Sequence, residues 1–364
     1  MLAKDLFRNK DDVKTLRKAI ESLDVKDINI MEVCGTHTMA IAEAGIKQML
    51  PKGINLISGP GCPVCVTPSE RIDDICNLAM NKDIIITTYG DMIRVPGTRK
   101  DISLEKSRMM GADIKAVYSS MDALDIAIDN PDREVVFLGI GFETTAPAAA
   151  SALMEAYKRK VDNFSIFSLH KVIEPAIRSL LESKEVKIDG FLLPGHVAVI
   201  LGQKGFMFLQ YEYAIPGVIS GFEPVDILNS LFLIAKEIAE GRGEVKNEYT
   251  RLVSFEGNSA ARDAVYEVFK PRDDIWRGLG MIKNSGLKIR EKYSRFDAEV
   301  KFKIKLTDEI KNTPCKCGDV VKGLIDPSNC PLFGKECVPD SPVGPCMVSS
   351  EGSCAAAYKY RNMI

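Results

Sequence analysis

The chain has 364 residues, of which 27% are charged and 46% are hydrophobic, and its 48 Lys and Arg residues nearly balance its 50 Asp and Glu residues. This balance excludes the strongly basic surface that is typical of nucleic-acid-binding proteins. A chain of this length divides into roughly two to three domains and can bury about 70% of its unfolded surface, so we expect a globular protein with a substantial core.

The first predicted element is an amphipathic helix from about Asp5 to Leu23. Its charged and apolar residues follow helical spacing, and the segment lacks the apolar run of a signal peptide. No apolar run in the sequence reaches the ~18 residues that a membrane-spanning helix requires. These features predict a soluble, cytoplasmic protein with neither a membrane nor a nucleic acid as partner.

Short apolar segments then alternate with helical segments as far as residue 195. The predicted strands are INIMEV, INLIS, DIIITTY, IKAVYS, EVVFLGIG, FSIFSL and GFLLPG. Repeated βα units imply parallel sheet covered by helices on both faces. The predicted fold is therefore α/β, with two lobes of parallel sheet, at residues 27–119 and 120–221, around a central cleft.

Beyond Gly221 the pattern changes. Two long helices are predicted from PVDILNSLFLIAKEIAEG and NEYTRLVSFEGNSAARDAVYEVF, and FDAEVKFKIKL alternates like a half-exposed strand. We assign 222–289 to a helical connection that packs on the lobes. Residues 1–26 and 290–364 form a third unit, which is loop-rich and ends in a cysteine-rich tail.

Six of the ten cysteines lie in the last fifty residues, in a stretch crowded with Pro and Gly. In a reducing cytosol such cysteines are more often metal ligands or redox groups than structural disulfides. A 4Fe-4S cluster requires four thiolates, and irregular loops can wrap it. Zinc is the main alternative, although structural zinc sites usually use two CxxC pairs, and disulfides or inert thiols are another. Spacing alone does not choose which four of the six cysteines bind.

Further residues that can do chemistry lie where the predicted strands end. They are Cys34 and His37, Cys62 and Cys65, Asp91 and Arg94, Glu143 to Thr145, His170, and His196. Ligands of open parallel sheets bind outside the carboxyl ends of the strands. We therefore expect these segments to converge on one cleft between the lobes.

Each thiol motif has more than one structural or functional interpretation. The CPVC segment of Cys62 and Cys65 suits a redox pair, half of a metal site or a structural turn. Cys34 begins a helix three residues before His37, which suits a thiolate that binds a soft metal beside an imidazole, or a buried cysteine with a capping histidine. Cys76 lies on an apolar helical face and is assigned to the core.

The carboxylate and imidazole candidates are also ambiguous. Glu143 precedes a helix that begins at Pro147, so it orients His37, binds metal or belongs to a capped helix start. His196, in LPGHVAV, is either a site residue or a satisfied, partly buried histidine. His170 is a weaker candidate of the same kind.

The motifs CGTHT, GPGCPVC, GFETTAP, PGHV and the cysteine-rich tail ending in EGSC occur in that order along the chain. With this set of motifs the chain resembles the HypD family of hydrogenase maturation proteins. The resemblance implies a scaffold that assembles and holds the Fe(CN)2CO unit of NiFe hydrogenases. It also implies work with a HypC-type small chaperone, receipt of cyanide from a HypE-type partner, and indirect service to the hydrogenase large subunit.

Residue by residue, the resemblance makes Cys34 the iron-binding thiolate, with His37 beside it, and makes Cys62 and Cys65 a thiol/disulfide pair. Glu143 and His196 become candidates for shaping the pocket. The implied 4Fe-4S ligands are Cys315, Cys330, Cys337 and Cys354, and the roles of Cys317 and Cys346 stay open. Such a protein is an assembly scaffold with redox chemistry rather than a conventional turnover enzyme. The alternatives are an iron–sulfur-dependent thiol–disulfide reductase and a zinc-stabilised binding protein.

Overall fold

The structure is a computed structural model, and it describes residues 9–23, 25–306 and 313–361. Its strands are β1 (Ile28–Glu32), β2 (Ile54–Ser58), β3 (Ile84–Thr88), β4 (Asp113–Ala116), β5 (Glu134–Gly141), β6 (Phe164–His170), β7 (Gly190–Pro194), β8 (Gly217–Ser220), β9 (Val245–Asn247), β10 (Phe269–Trp276) and β11 (Gly280–Ile289). All seven strands that the apolar segments predict are present.

The strands form two parallel sheets and one hairpin. The first sheet has the order β2-β1-β7-β8-β9, and the second has the order β4-β3-β5-β6. Every pairing within these two sheets is parallel, whereas β10 and β11 pair antiparallel. The predicted α/β fold with two parallel sheets flanked by helices is confirmed.

Each sheet takes strands from both sides of residue 119. The chain forms β1 and β2, crosses to build all of the second sheet, and returns to the first sheet with β7. The predicted boundary at 119 and 120 is therefore not a boundary between the sheets. Runs of apolar residues identify strands, but they do not identify the neighbour with which each strand pairs.

The helices cover the faces of both sheets. They are α1 (Lys10–Glu21), α2 (Gly35–Glu43), α3 (Ile46–Met49), α4 (Pro63–Val66), α5 (Ser69–Ala79), α6 (Leu104–Met109), α7 (Ser120–Asp129), α8 (Ala146–Arg159), α9 (Ile173–Ser183), α10 (Gly195–Leu201), α11 (Pro224–Ala239), α12 (Ser259–Val268), α13 (Ala298–Lys301), α14 (Cys317–Val321), α15 (Pro345–Val348) and α16 (Ser353–Lys359). None of the helices in the described ranges is long and apolar enough to cross a membrane.

The amino-terminal helix is shorter than the prediction of Asp5 to Leu23, part of which lies outside the described residues. Asn9 caps α1 by accepting a hydrogen bond from the backbone of Asp11. The helix packs against α11, and its Ile20 is buried in the core of the first sheet. In the described structure this helix therefore adjoins the first sheet.

Two expectations for the region after Gly221 are wrong. The second long helix is restricted to α12, because Gly257 has a left-handed backbone (φ 69°) and Asn258 caps the helix after it. The alternating segment FDAEVKFKIKL does not begin as a strand. Asp297 instead caps the short helix α13 by accepting from the backbone of Glu299.

The region 222–289 also contains more strand than predicted. It adds β9 to the edge of the first sheet, and it contains the whole β10–β11 hairpin. The hairpin strands carry charged residues that form ion pairs with residues from other parts of the fold. Lys171 Nζ lies 2.7 Å from Asp274 Oδ2, and Arg272 Nη1 lies 2.6 Å from Glu299 Oε1.

Candidate metal and thiol site

A cleft lies at the carboxyl ends of the strands of both sheets. It encloses about 820 Å³, including its open mouth. Its lining residues follow β1, β2, β3, β5, β6 and β7, and one comes from the cysteine-rich tail: Cys34, Thr36, Gly61, Pro63, Val64, Tyr89, Asp91, Phe142, Thr144, Ile173, His196 and Glu351 are among them. Strand-end segments that are far apart in sequence thus meet at one place, as parallel-sheet topology requires.

Cys34 lies at the end of β1 and forms the N-cap position of α2. The loop after β2 packs directly on its backbone, since the Gly35 amide donates to the Gly61 carbonyl at 3.1 Å. A Cβ atom on Gly61 would lie 2.2 Å from the Cys34 nitrogen, so this position requires glycine. The thiol motif and the CPVC motif are therefore held against each other.

The Cys34 thiol is buried and neutral at ordinary pH. Burial raises its pKa to about 12, and the nearby Glu351 carboxylate adds to the rise. The backbone amides of His37 and Thr36 oppose this shift by hydrogen bonding to the sulfur. A thiolate at this position consequently requires a bound cation or another source of positive charge.

Glu351 is a site residue that the sequence analysis missed. It comes from the tail, yet its Oε1 accepts a hydrogen bond of 2.8 Å from Thr36 Oγ1, beside Cys34. Its main chain approaches so closely that a Cβ on Gly35 would lie 2.7 Å from the Glu351 carbonyl oxygen. The signal in the sequence was its place in EGSC, three residues before Cys354, but nothing local connected that motif to the cleft.

Asp91 connects the cleft to the tail in a second place. Its Oδ2 accepts hydrogen bonds from Ser349 Oγ at 3.2 Å, from the Ser350 amide at 3.0 Å and from Ser350 Oγ at 2.8 Å. Together with Glu351, these contacts make the tail a third wall of the cleft.

Cys62 and Cys65 form a disulfide in the structure. Cys62 is the N-cap of α4, and both sulfurs are buried, whereas Pro63 and Val64 between them line the cleft. The two cysteines share one apolar core with four cysteines of the tail, Cys317, Cys337, Cys346 and Cys354. The CPVC turn therefore both lines the cleft and packs in the apolar core that contains the tail cysteines.

The six tail cysteines surround one small pocket of about 290 Å³, a volume that includes space open to solvent. Its lining includes Cys315, Cys317, Cys330, Cys337, Cys346 and Cys354. Backbone amides point at three of the sulfurs: Cys317 N lies 3.4 Å from Cys315 Sγ, Val343 N lies 3.4 Å from Cys337 Sγ, and Cys354 N lies 3.2 Å from Cys346 Sγ. Sulfur atoms and amide donors around one cavity form a donor set that suits an iron–sulfur cluster.

The sulfurs are not already arranged as a coordination shell. Among the described residues, no group of three or more Cys, His, Asp or Glu side chains has the geometry to hold a metal ion. Instead the sulfurs pair, and the Cys315 thiol donates to the Cys317 sulfur, which holds the pKa of Cys317 below its usual range. Side-chain rotation about the common cavity would be needed to direct four of them at a metal.

The comparisons with known proteins agree with these motifs. The family model described as HypD, Hydrogenase formation hypA family, matches residues 11–361. A protein of Bradyrhizobium diazoefficiens named hydrogenase maturation factor HypD2 is 45% identical over 98% of this chain and 96% of its own length.

Two further relatives are named hydrogenase maturation factor HypD. The one from Cupriavidus necator is 46% identical over 91% of this chain and 89% of its own length. The one from Escherichia coli is 44% identical over 92% of this chain and 90% of its own length. The chain belongs to the HypD family.

The two histidines that the HypD resemblance singles out occupy different surroundings. His37 is fully buried: its Nε2 lies 2.9 Å from the Gly221 carbonyl oxygen, its ring packs on Phe222, and burial lowers its pKa to about 4. His196 stacks on the same Phe222 ring, with the two ring centroids 4.0 Å apart, and it lines the cleft. Of the two imidazoles, His196 is the one that borders the cleft.

Glu143 does not line the cleft that holds Cys34, although its neighbours Phe142 and Thr144 do. Its Oε1 accepts from the Ile173 amide at 3.0 Å, while Oε2 has no hydrogen-bond partner within the described ranges. Burial raises its pKa to about 7. The role predicted for Glu143 in this HypD-family chain stays a prediction, and only its neighbours Phe142 and Thr144 border the cleft.

Proposed function

We propose that this chain is a hydrogenase maturation factor that assembles and holds the Fe(CN)2CO unit of NiFe hydrogenases. A HypC-type chaperone would work with it and a HypE-type protein would supply cyanide. The observation that carries the proposal is the arrangement of sulfur. One buried thiol, Cys34, borders a cleft that the CPVC turn also lines, and the disulfide of that turn shares an apolar core with cysteines of a six-cysteine cavity.

Cys34 is the proposed ligand of the iron substrate. Thiolate is a soft donor, which suits iron that carries cyanide and carbonyl ligands. Because burial holds the thiol neutral in the free protein, iron itself would supply the charge that favours the thiolate. His196 and Thr144 line the same cleft and could contact the diatomic ligands.

The tail cysteines would hold the protein's own cluster. Cys315, Cys330, Cys337 and Cys354 are the proposed ligands, and Cys317 and Cys346 border the same cavity. A 4Fe-4S cluster supplies one-electron transfer when it is bound. The Cys62–Cys65 pair packs in the same apolar core as four of the tail cysteines. A disulfide can store and release two electrons, which supports a role for this pair in the proposed relay.

The test is infrared spectroscopy of protein purified without oxygen, alone and with its small chaperone. Cyanide and carbonyl stretching bands should be present in the wild type and absent from Cys34→Ala, because the iron substrate loses its thiolate. Cys76→Ala is the matched control, since Cys76 is equally buried but lies on α5 away from the cleft lining. Bands that persist in Cys34→Ala would refute the proposed ligand.

Replacing Cys62 by Ser tests the redox part of the proposal. The variant should keep its cluster absorbance but fail to accumulate the iron–dicyanide bands under reducing assembly conditions. Unchanged band intensity would remove the electron relay from the proposal.

A second candidate function is an iron–sulfur-dependent thiol–disulfide reductase. The packing of the disulfide in one core with tail cysteines favours it. A protein that contains iron and reduces disulfides, yet never shows the infrared bands, would support the reductase. Zinc in place of iron on metal analysis would exclude both functions and leave a zinc-stabilised binding protein.

A further inference from the structure

The two sulfurs of the buried disulfide have different polar surroundings. Cys62 Sγ accepts a hydrogen bond of 3.1 Å from the Cys65 amide, and Ser349 Oγ lies 3.4 Å from it. In the described part of the chain no hydrogen bond reaches Cys65 Sγ. A sulfur in a disulfide carries no proton, so the contact with Ser349 can be a hydrogen bond only when the serine hydroxyl donates.

Ser349 is itself held in place by its neighbours. Its side chain is buried, with 1% of the residue exposed, and its Oγ accepts from the Glu351 amide at 3.2 Å. The single hydroxyl proton can therefore be directed at either of two atoms, Asp91 Oδ2 at 3.2 Å or Cys62 Sγ. Asp91 lines the cleft. A chain of polar groups thus runs from the cleft through Asp91 and Ser349 to one sulfur of the pair.

We propose that the disulfide opens with a fixed polarity, in which Cys65 Sγ is attacked and Cys62 Sγ leaves as a thiolate stabilised by Ser349. The Ser349 hydroxyl and the Cys65 amide are the donors to the departing sulfur, and Asp91 passes a proton from the cleft through Ser349. Ser349 and Asp91 are positioning residues of the pair. The inference rests on the proposed function only in taking this pair to be reduced during the protein's work.

The step balances with a small dithiol as reductant. Its thiolate forms a bond to Cys65 Sγ, the Cys62–Cys65 bond breaks, and the electron pair of that bond remains on Cys62 Sγ, which then takes a proton through Ser349. The second thiol of the reagent loses its proton and closes a ring, which releases Cys65 as a thiolate that is protonated in turn. The reagent becomes a cyclic disulfide, and two electrons and two protons reach the cysteine pair. Stabilising the leaving thiolate accelerates such an exchange.

Exposure alone would predict the opposite polarity. Cys62 is 5% exposed and Cys65 is fully buried, so a reagent limited by access would attack Cys62. The two explanations are separated by treating the oxidised full-length protein with a small monothiol, blocking free thiols with an alkylating reagent and locating the adduct by mass spectrometry. We expect the monothiol on Cys65 and the alkyl group on Cys62. The monothiol on Cys62 would overturn the proposal.

The rate of opening by dithiothreitol tests the role of Ser349. Ser349→Ala removes a hydrogen bond to the departing thiolate, and the loss of a hydrogen bond to a charged group should slow opening by about ten-fold or more. Ser350→Ala is the matched control, because Ser350 Oγ also donates to Asp91 but is not within hydrogen-bond distance of either sulfur. It should change the rate by less than about two-fold on the scale of surface substitutions. Ser349→Thr, which keeps the hydroxyl, should restore most of the rate.

Equal slowing by Ser349→Ala and Ser350→Ala would show that these serines merely anchor the tail, and would overturn the proposal. Thermal melting of each variant identifies any that fails to fold, and the adduct experiment on the wild type does not depend on them. Neither measurement involves the iron substrate, cyanide or a partner protein. Loss of the infrared bands and loss of the polarity are therefore distinguishable failures.

Discussion

Burial shifts the pKa of several ionisable side chains near the cleft in the direction that favours their neutral forms. The pKa of Glu32 is raised to about 7, that of Glu143 to about 7, and that of Cys34 to about 12, while that of His37 is lowered to about 4. In each case burial is the largest cause, because a charged form in this region loses its hydration.

The effect of burial on the pKa of Glu143 can be tested by measuring the stability of Glu143→Gln at several pH values. The folded protein binds the Glu143 proton more tightly than the unfolded chain does, so the wild type loses stability as the pH rises from about 4.5 to about 7. Gln mimics the protonated acid and removes that loss. The free energy of unfolding of the variant, measured by urea denaturation, should gain on the wild type over this range, by on the order of 2 kcal/mol.

Glu155→Gln is the control for that measurement. Glu155 is a partly exposed glutamate whose pKa is lowered by its hydrogen bond from Arg159, so its replacement should give no gain as the pH rises. A difference between wild type and Glu143→Gln that is constant with pH would show that Glu143 is charged in the folded protein.

At the scale of elements, the contact between two loops fixes the site. The loop after β2 approaches the start of α2 so closely that a Cβ on Gly61 would lie 2.2 Å from the Cys34 nitrogen and 2.4 Å from the Val33 carbonyl carbon. Both neighbours are backbone atoms, which cannot rotate away as a side chain can. The separation of Cys34 from the CPVC turn is therefore set by a glycine.

Gly61→Ala should push these loops apart. We expect the free energy of unfolding to fall by about 1–3 kcal/mol, as for other overpacked sites, and Cys34 to react faster with an alkylating reagent. Gly90→Ala is the matched control, because a Cβ there would have no atom within 4 Å and Gly90 also follows a strand. Equal alkylation rates of Cys34 in the two variants would contradict the importance of the contact.

Most of the strands, but not the β10–β11 hairpin, could be predicted from the sequence. The seven strands could be identified because each is a short apolar run bounded by a turn, and their ends marked the cleft because parallel strands share one edge. The β10–β11 hairpin could not, since Arg272 and Asp274 make its first strand look exposed. Their partners, Glu299 and Lys171, are supplied by distant parts of the chain.

The tail contribution to the site was hidden for a related reason. Glu351 and Ser349 follow Thr36 and Asp91 in sequence by 315 and 258 residues. Each is an ordinary polar residue in its local context, and only the packing of the tail on both loops brings it to the cleft. Cysteine spacing identified the tail as a separate sulfur-rich unit, but it carried no information about which surface the tail covers.

At the scale of the whole molecule, the tail and the second sheet share one core. Val320, Met347 and the tail cysteines pack in the same apolar cluster as Cys62, Cys65 and residues of β3 and β5. The first sheet has its own clusters, built around residues of β1, β7 and β8. Disturbing the tail should therefore loosen the CPVC turn before it loosens the first sheet.

Hydrogen exchange of protein stripped of iron by a chelator tests that order. Amide exchange should rise by more than about ten-fold in residues 313–361 and 59–67, because local opening is governed by the apolar contacts that each segment keeps. The strands β7 and β8 should stay protected and serve as the internal control. Unchanged exchange in the tail would mean that its fold does not depend on metal.

The third wall of the cleft has a consequence for the order of events during synthesis. Ser349, Ser350 and Glu351 come after every strand of both sheets, so a ribosome delivers them last and the sheets can fold first. Until the tail packs onto Thr36 and Asp91, the cleft beside Cys34 lacks the wall that the tail supplies. Under the proposed function, a tail that folds around its own cluster would complete the site only after that cluster is bound, so a newly made chain could not hold the iron substrate before then.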